Sequence, residues 1–257
     1  MKGQTPGPVT PGVKPVSGAS TLELMEGANR YNRWVFDRVR DGLGRRVLEV
    51  GCGTGTITDY LLDRELVVGI DVVEDYVRST ARRYRDHANV VILQQDLTES
   101  IQILRRYGFD SAVSVNVLEH IADDAAAIKA VYDLLPPGGV FALLVPSHPA
   151  LLGRFDRDIG HHRRYTKRGL QCQLESAGFI VERIRRTNPV GALGWMVGVR
   201  LLGQRRLRGV RLYDQLVPLF AALDGLELPI GLSLTARARK PGEGAHAARE
   251  ATMRPAA

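Results

Sequence analysis

The sequence predicts an α/β protein built on a doubly wound, mostly parallel sheet with helices on both faces. Three observations lead there. Short apolar runs at 47–50, 66–70, 90–93, 109–115 and 140–145 recur between helix-patterned segments. The runs are mostly apolar rather than alternating, which is how strands read when both of their faces are buried. The first run ends in a turn with glycine at 51, 53 and 55. Glycine gives that backbone access to left-handed conformations and lets a ligand approach closely, at the carboxyl end of a strand where open α/β sheets hold nucleotide-like molecules.

Taken in order, residues 1–20 are rich in Pro, Gly, Ser and Thr and read as a disordered leader. From 21 to 43, Leu24, Tyr31, Trp34, Val35 and Val39 fall roughly on one helical face, until Gly42 and Gly44 break the helix. After the glycine turn, 57–62 reads as a short helix and 66–70 as a second strand ending at Asp71. A basic helix over 77–84 precedes strand three at 90–93, which leads into Gln94, Gln95 and Asp96. Strand four, 109–115, ends at Asn116. A helix over 125–135 is halted by Pro136-Pro137-Gly138-Gly139, and 140–145 is strand five. The second half is less regular: a long stretch over 146–165, a helix over 166–177 closed by Gly178, and strand six at 179–184. A long helix-leaning segment then leads to a last strand at 232–238. Residues 241–257 read as a flexible tail, leaving 21–240 as one domain.

Composition sets the outer limits. Of 257 residues, 44% are hydrophobic and 25% charged, which suits an ordinary globular chain. The net charge of +7 is concentrated: 183–211 carries Arg183, Arg185, Arg186, Arg200, Arg205, Arg206, Arg208 and Arg211 and no acidic residue. An anionic partner is expected to meet that segment. Cys52 and Cys172 are the only cysteines, so no disulfide framework is expected and a reducing cytoplasm is the simplest setting. No run is long and apolar enough for a membrane span, and the N-terminus lacks the pattern of a signal peptide.

The turn reads G-x-G-x-G, with Thr56 rather than the pattern G-x-G-x-x-G of dinucleotide sites, and it lacks the Gly-Lys-Ser/Thr of a phosphate-gripping loop. Glu49, inside the strand two residues earlier, suits an amine-bearing ligand better than a pyrophosphate. Asp71 is placed to accept both hydroxyls of a ribose. Asp96 is a candidate acceptor for an exocyclic adenine amine, or else a turn cap.

Leu48-Glu49-Val50-Gly51-Cys52-Gly53-Thr54-Gly55, followed by Gly69-Ile70-Asp71, Gln95-Asp96-Leu97 and Leu134-Leu135-Pro136-Pro137-Gly138-Gly139, resembles a class I S-adenosylmethionine-dependent methyltransferase. The resemblance covers about residues 30–185. It implies a Rossmann-like seven-stranded sheet with an antiparallel last strand and a helical cap inserted at about 187–230. It also implies S-adenosyl-L-methionine as cofactor. Glu49, Gly51, Cys52, Gly53 and Gly55 would border the methionine part. Asp71 would hold the ribose, Asp96 would read the adenine and Asn116 would touch the amino-acid end, with Val72, Leu97 and Val117 as further cofactor contacts.

Acceptor chemistry is expected around the strand-four and strand-five ends. His120, in Asn116-Val117-Leu118-Glu119-His120, is a candidate general base, because imidazole titrates near neutrality. The 146–165 stretch is similar to a subgroup of bacterial methyltransferases that share a Gly-His-x-Arg-Arg-Tyr element, here Gly160-His161-His162-Arg163-Arg164-Tyr165. His148, Asp156, His161 and Tyr165 are candidates for the base or for acceptor binding there, the two histidines and the tyrosine as catalytic groups, and Arg163 and Arg164 candidate holders of an anionic acceptor. The alternative is that this network pins a long loop. Asn188 and Trp195, before the arginine-rich segment, are further candidates for the acceptor. His148, His161, His162, Asp156 and Asp158 have metal-ligating side chains, but their spacing forces no cage and no metal is expected.

The expected activity is methyl transfer to a small molecule, on oxygen, in secondary-metabolite, sugar or glycolipid biosynthesis. N-methylation of an amine, methylation of RNA, and a cofactor-binding scaffold without catalysis are the alternatives. DNA is not expected as a partner. The basic segment suits an anionic lipid or lipid-linked sugar.

Overall fold

The computed structural model describes residues 26–195, 210–223 and 230–242. The expected leader, most of the expected tail, and 196–209 and 224–229 within the expected cap lie outside them.

Seven strands form one sheet: β1 (Arg46–Val50), β2 (Leu66–Asp71), β3 (Val90–Gln94), β4 (Ser111–Val115), β5 (Val140–Pro146), β6 (Ile180–Thr187) and β7 (Ser233–Arg239). Their spatial order is β3-β2-β1-β4-β5-β7-β6. Pairs β1–β2, β2–β3, β1–β4 and β4–β5 are parallel, and β7 runs antiparallel to β5 and to β6. The carboxyl ends of β1 to β6 therefore share one edge of the sheet.

The helices are α1 (Asn29–Val39), α2 (Glu74–Arg83), α3 (Gln102–Arg105), α4 (Asp124–Leu134), α5 (Arg154–Asp158), α6 (Lys167–Ser176), α7 (Pro189–Trp195) and α8 (Val210–Leu223). Alternate side chains of each strand enter two separate cores. On one face Leu48, Val50, Phe141 and Leu143 pack with Ile128 and Val131 of α4 and Leu170 and Leu174 of α6. On the other, Val47, Val113, Ala142 and Leu144 pack with Trp34, Val35 and Phe36 of α1 and Val217 of α8. Both faces are covered, as the unbroken apolar runs require.

Four expectations are revised. The first helix is shorter than 21–43 among the described residues and ends at Val39. In place of a helix over 57–62 there is one 3-10 turn, Thr58–Tyr60. Thr56-Ile57-Thr58 is β-branched, and the Thr58 hydroxyl is bonded to Glu49 instead of staying free on a helix surface. The irregular arm over 146–165 contains a 3-10 turn, Pro149–Leu151, and the short α5. Finally, three of the eight clustered arginines belong to the outermost strand β6, and Arg183 there reaches Asp41 at 3.3 Å. Charged side chains on an outer strand discourage edge-to-edge pairing with another chain.

The segment between β6 and β7 contributes α8, which packs on α1. The Tyr31 backbone N–H donates to Asp214 Oδ1 at 2.8 Å, Arg30 donates to the Gln215 carbonyl at 3.2 Å, and the Tyr31 and Tyr213 rings lie 5.9 Å apart.

Candidate active site at the carboxyl edge of the sheet

The glycine turn is held in a conformation that other residues resist. Gly51, Gly53 and Gly55 all have positive φ, at 72°, 50° and 85°. A Cβ on Gly51 would lie 2.3 Å from Val117 Cγ2, and one on Gly55 2.7 Å from the Tyr84 ring. From below, the Gly51 and Cys52 N–H groups donate to the Ile70 carbonyl. Asp71 Oδ2 accepts the Gly53 N–H at 2.9 Å, and its Oδ1 accepts the Val73 N–H at 2.9 Å. Thr80 and Tyr84 donate to the Gly53 and Gly55 carbonyls at 2.7 and 2.8 Å. The turn is thus pre-shaped by β2 and α2.

Glu49 is buried beneath the turn, and its Oε2 accepts the Thr58 hydroxyl at 2.6 Å. Burial pushes its pKa up to about 8, the Thr58 bonds oppose this, and Asp59 and Asp71 add to it. Its carboxylate braces the 3-10 turn; the expectation of a carboxylate turned toward the ligand's amine is corrected on this point. Cys52 is buried, and burial raises its thiol pKa, so it serves as packing. Val72 is exposed beside Asp71, and Leu97 is buried. Asp96 Oδ1 takes both the N–H and the hydroxyl of Thr98, at 2.8 and 2.7 Å, which makes it a turn cap whose Oδ2 is the oxygen left for a ligand. Asn116 and Val117 follow β4 at the same edge.

Two carboxylates organise the arm over 146–165. Asp156 Oδ1 accepts from His161 Nδ1 at 3.1 Å and from Arg164 Nε and Nη2 at 2.9 and 2.7 Å, and its Oδ2 accepts the Gly153 N–H at 2.8 Å. Burial would raise the Asp156 pKa, but the His161 and Arg164 bonds outweigh it and bring the pKa below the ordinary range. Asp124, the first residue of α4, accepts from Arg163, from the Tyr165 hydroxyl at 2.7 Å and from Gln173 at 3.1 Å.

These bonds correct several expectations. Arg164 is buried and binds Asp156 and the Ser147 carbonyl, and Arg163 binds Asp124 and the Ala122 carbonyl. Both pin the arm rather than an acceptor. Tyr165 is buried, and burial together with its bond to Asp124 raises its pKa, so it is no proton acceptor. Asn188 caps α7: its Oδ1 accepts the Gly191 N–H and the Tyr213 hydroxyl at 2.7 and 2.6 Å. Trp195 is the last residue of α7.

Beside the arm stands a group of three. The His120 and His161 rings meet edge to face with centroids 4.6 Å apart. His161 Nε2 lies 3.8 Å from Glu119 Oε1. Glu119 is 0% exposed, and neither of its oxygens has a hydrogen-bond partner on another residue. Burial pushes its pKa up to about 8, against an opposing effect of its own backbone N–H and of Arg164. Loss of water, then the His161 ring, lower the His120 pKa to about 4. That is a correction too, since so weak a base is a poor acceptor for a hydroxyl proton. The histidines and acids of the arm considered for a metal are not gathered; among the described residues the metal-compatible trio is Glu119, His120 and His161.

Three described residues other than glycine have positive φ: Asn116 at 54°, His148 at 59° and Asn188 at 63°. They follow β4, β5 and β6, all on the carboxyl edge, where backbone strain commonly marks function. His148 itself is half-buried with its pKa lowered by burial and by Arg186 and Arg164. The braces Thr58, Thr80, Tyr84 and Asp124 carried no motif in the sequence, though Asp123-Asp124 opening a helix and the Thr80-x-x-x-Tyr84 spacing mark them in retrospect.

Strand order, antiparallel last strand and glycine turn define the class I methyltransferase architecture. A sequence profile described as a methyltransferase domain matches residues 48–141. A protein of Mycolicibacterium smegmatis named a probable S-adenosylmethionine-dependent methyltransferase is 31% identical over 179 residues, 67% of this chain and 68% of the relative. The chain belongs to the S-adenosylmethionine-dependent methyltransferase family and uses S-adenosylmethionine as its cofactor. A ubiquinone biosynthesis O-methyltransferase of Pseudomonas aeruginosa is 32% identical over 120 residues, 45% of this chain and 50% of the relative, so the chain spans about half of it. The solved structure of an S-adenosylmethionine-dependent methyltransferase from Mesorhizobium loti shares the fold, with a TM-score of 0.57 and 19% identity over 84% of this chain and 100% of that one. Among the described residues no helix is long and apolar enough to cross a membrane.

Proposed function

We propose that this enzyme transfers the methyl group of S-adenosylmethionine to a hydroxyl oxygen of a small-molecule acceptor seated between the β4 end and the 146–165 arm. The observation that carries the reading is the shared edge: the pre-shaped turn at 51–55 and the His120–His161 pair stand at the carboxyl ends of adjacent strands. The cofactor supplies an activated methyl on a sulfonium, and an in-line displacement then asks the protein for alignment and exclusion of water.

The backbone of Gly51, Gly53 and Gly55, the remaining lone pairs of Asp71, Asp96 Oδ2 and the exposed face of Val72 are the groups we assign to holding the cofactor. The left-handed Asn116 turns the chain so that Val117 closes over Gly51. The tightly bonded arm, held by Asp156 and Asp124, forms the acceptor wall. Oxygen as the target is supported by the P. aeruginosa relative's name and by the polar, partly exposed histidine pair. A hydroxyl of phenol type, with a pKa of about 10, gives up its proton more readily than a sugar alcohol and so asks less of any base.

The test is turnover with methyl-labelled cofactor on a panel of phenols, sugars and amines, read as S-adenosylhomocysteine formed and label transferred. Phenols should be methylated on oxygen. Turnover of amines alone would overturn the reading.

A further inference from the structure

Glu119, His120 and His161 each offer one ligand atom, and the three atoms lie within 4.8 Å of one another. We infer that this trio binds one divalent transition-metal ion of the zinc type at the end of β4. The first reason is Glu119. A fully buried carboxylate without a hydrogen bond to another residue is costly, and carboxylates so placed are paired or coordinate metals. Arg164 supplies a nearby positive charge, yet both Glu119 oxygens still lack a hydrogen-bond partner on another residue.

The second reason is how the imidazoles are held. His161 Nδ1 is bonded to Asp156, which directs Nε2 to Glu119 Oε1 at 3.8 Å. The Gly160 backbone lies close to His120 Nδ1. Metal-binding histidines are oriented in this way, by a carboxylate or backbone group on the second ring nitrogen. The rings meet at 80° with one ligand nitrogen of each within 4.8 Å of the other and of a Glu119 oxygen.

Two imidazoles and one carboxylate suit zinc-type ions, whereas magnesium and calcium prefer all-oxygen sets. Bonds of about 2 Å in a tetrahedron put ligand atoms roughly 3.3 Å apart, so the trio must draw in by about an ångström or so. His120 is exposed, which leaves an entry route and an open coordination position. Occupation of that position by the acceptor oxygen rests on the O-methylation reading; metal binding itself does not.

The experiment uses the full chain, freed of metal with a chelator and dialysed, and titrated with zinc by calorimetry and with cobalt by visible absorption. One ion per chain is expected, at micromolar affinity or tighter, with Co2+ bands of a nitrogen and oxygen set. Glu119→Gln, which keeps size and removes the charge, should weaken binding at least tenfold, as should His161→Ala. The neighbouring His162→Ala and Cys172→Ser should leave it unchanged. Circular dichroism verifies that each variant is folded. Absence of saturable binding in the intact protein would overturn the inference. So would a folded Glu119→Gln that binds zinc as the parent does, which would make Glu119 a protonated acid facing His161. Neither readout involves an acceptor or turnover, so a failure here is separate from a failure of the proposed reaction.

Discussion

Replacing Gly51 with alanine isolates what the turn demands, provided Gly138→Ala is made beside it. Both glycines have positive φ, 72° and 82°. Each substitution therefore carries the left-handed strain of an L-residue, about 1–2 kcal/mol. They differ in surroundings. A Cβ at position 138 meets nothing within 4 Å, while at 51 it lies 2.3 Å from Val117 Cγ2 and 2.9 Å from Cγ1. Ordinary carbon contacts fall at about 3.5–4.0 Å, so Val117 or the turn must retreat by more than an ångström. Overpacking of that kind adds about 1–3 kcal/mol. Urea unfolding should show Gly138→Ala destabilised by about 1–2 kcal/mol and Gly51→Ala by about 2–5 kcal/mol. Calorimetric titration with S-adenosylmethionine should find the parent affinity in Gly138→Ala and at least a tenfold loss in Gly51→Ala. Equal stability losses and equal affinities in the two variants would refute the claim that close approach, rather than φ alone, fixes glycine at position 51.

Asp71→Asn offers one acceptor oxygen in place of two for the Gly53 and Val73 N–H groups. It should lose about 1–2 kcal/mol of stability and bind the cofactor more weakly, and parent-like affinity would remove Asp71 from the site. Tyr165→Phe removes a donor from the buried Asp124 and should cost about 1.5–3 kcal/mol in unfolding experiments with kcat unchanged; loss of turnover in a folded variant would restore a catalytic role. Glu49 predicts a pH effect. Its folded pKa of about 8 stands above the ordinary 4.5, so the native state holds the proton more tightly. Its contribution is greatest below pH 4.5 and is lost as pH rises through 8, because burial disfavours the charged carboxylate and the nearby Asp59 and Asp71 add to that. Glu49→Gln should gain on the parent between pH 5 and 8 by on the order of a few kcal/mol, read from unfolding curves, and parallel pH profiles would contradict this.

The sheet was legible because its strands are apolar on both sides, and the turn because three alternating glycines have few other uses. Helix ends and the 3-10 turn at Thr58–Tyr60 were not, since they depend on a tertiary bond from Thr58 to Glu49. The arm shows the same limit from the other direction. Arginine, histidine and tyrosine in 160–165 carry the chemistry of an acceptor site, and only folding shows that Asp124 and Asp156 satisfy them. Glu119 shows the converse: it lies buried with no hydrogen bond from another residue, its ligand atom within 4.8 Å of those of His120 and His161.

The place of β7 between β5 and β6 also bears on how the chain comes to be folded. β5 is buried at all seven positions, yet the strand that seals its outer side is the last one made. β6 is synthesised earlier and touches the rest of the sheet only through β7. A nascent chain therefore carries an unpaired, apolar β5 margin and an unattached strand until Ser233–Arg239 leaves the ribosome. Contacts of such long sequence separation form slowly. β7 works as a keystone, and the sheet is closed by the last of its seven strands rather than strand by strand along the chain.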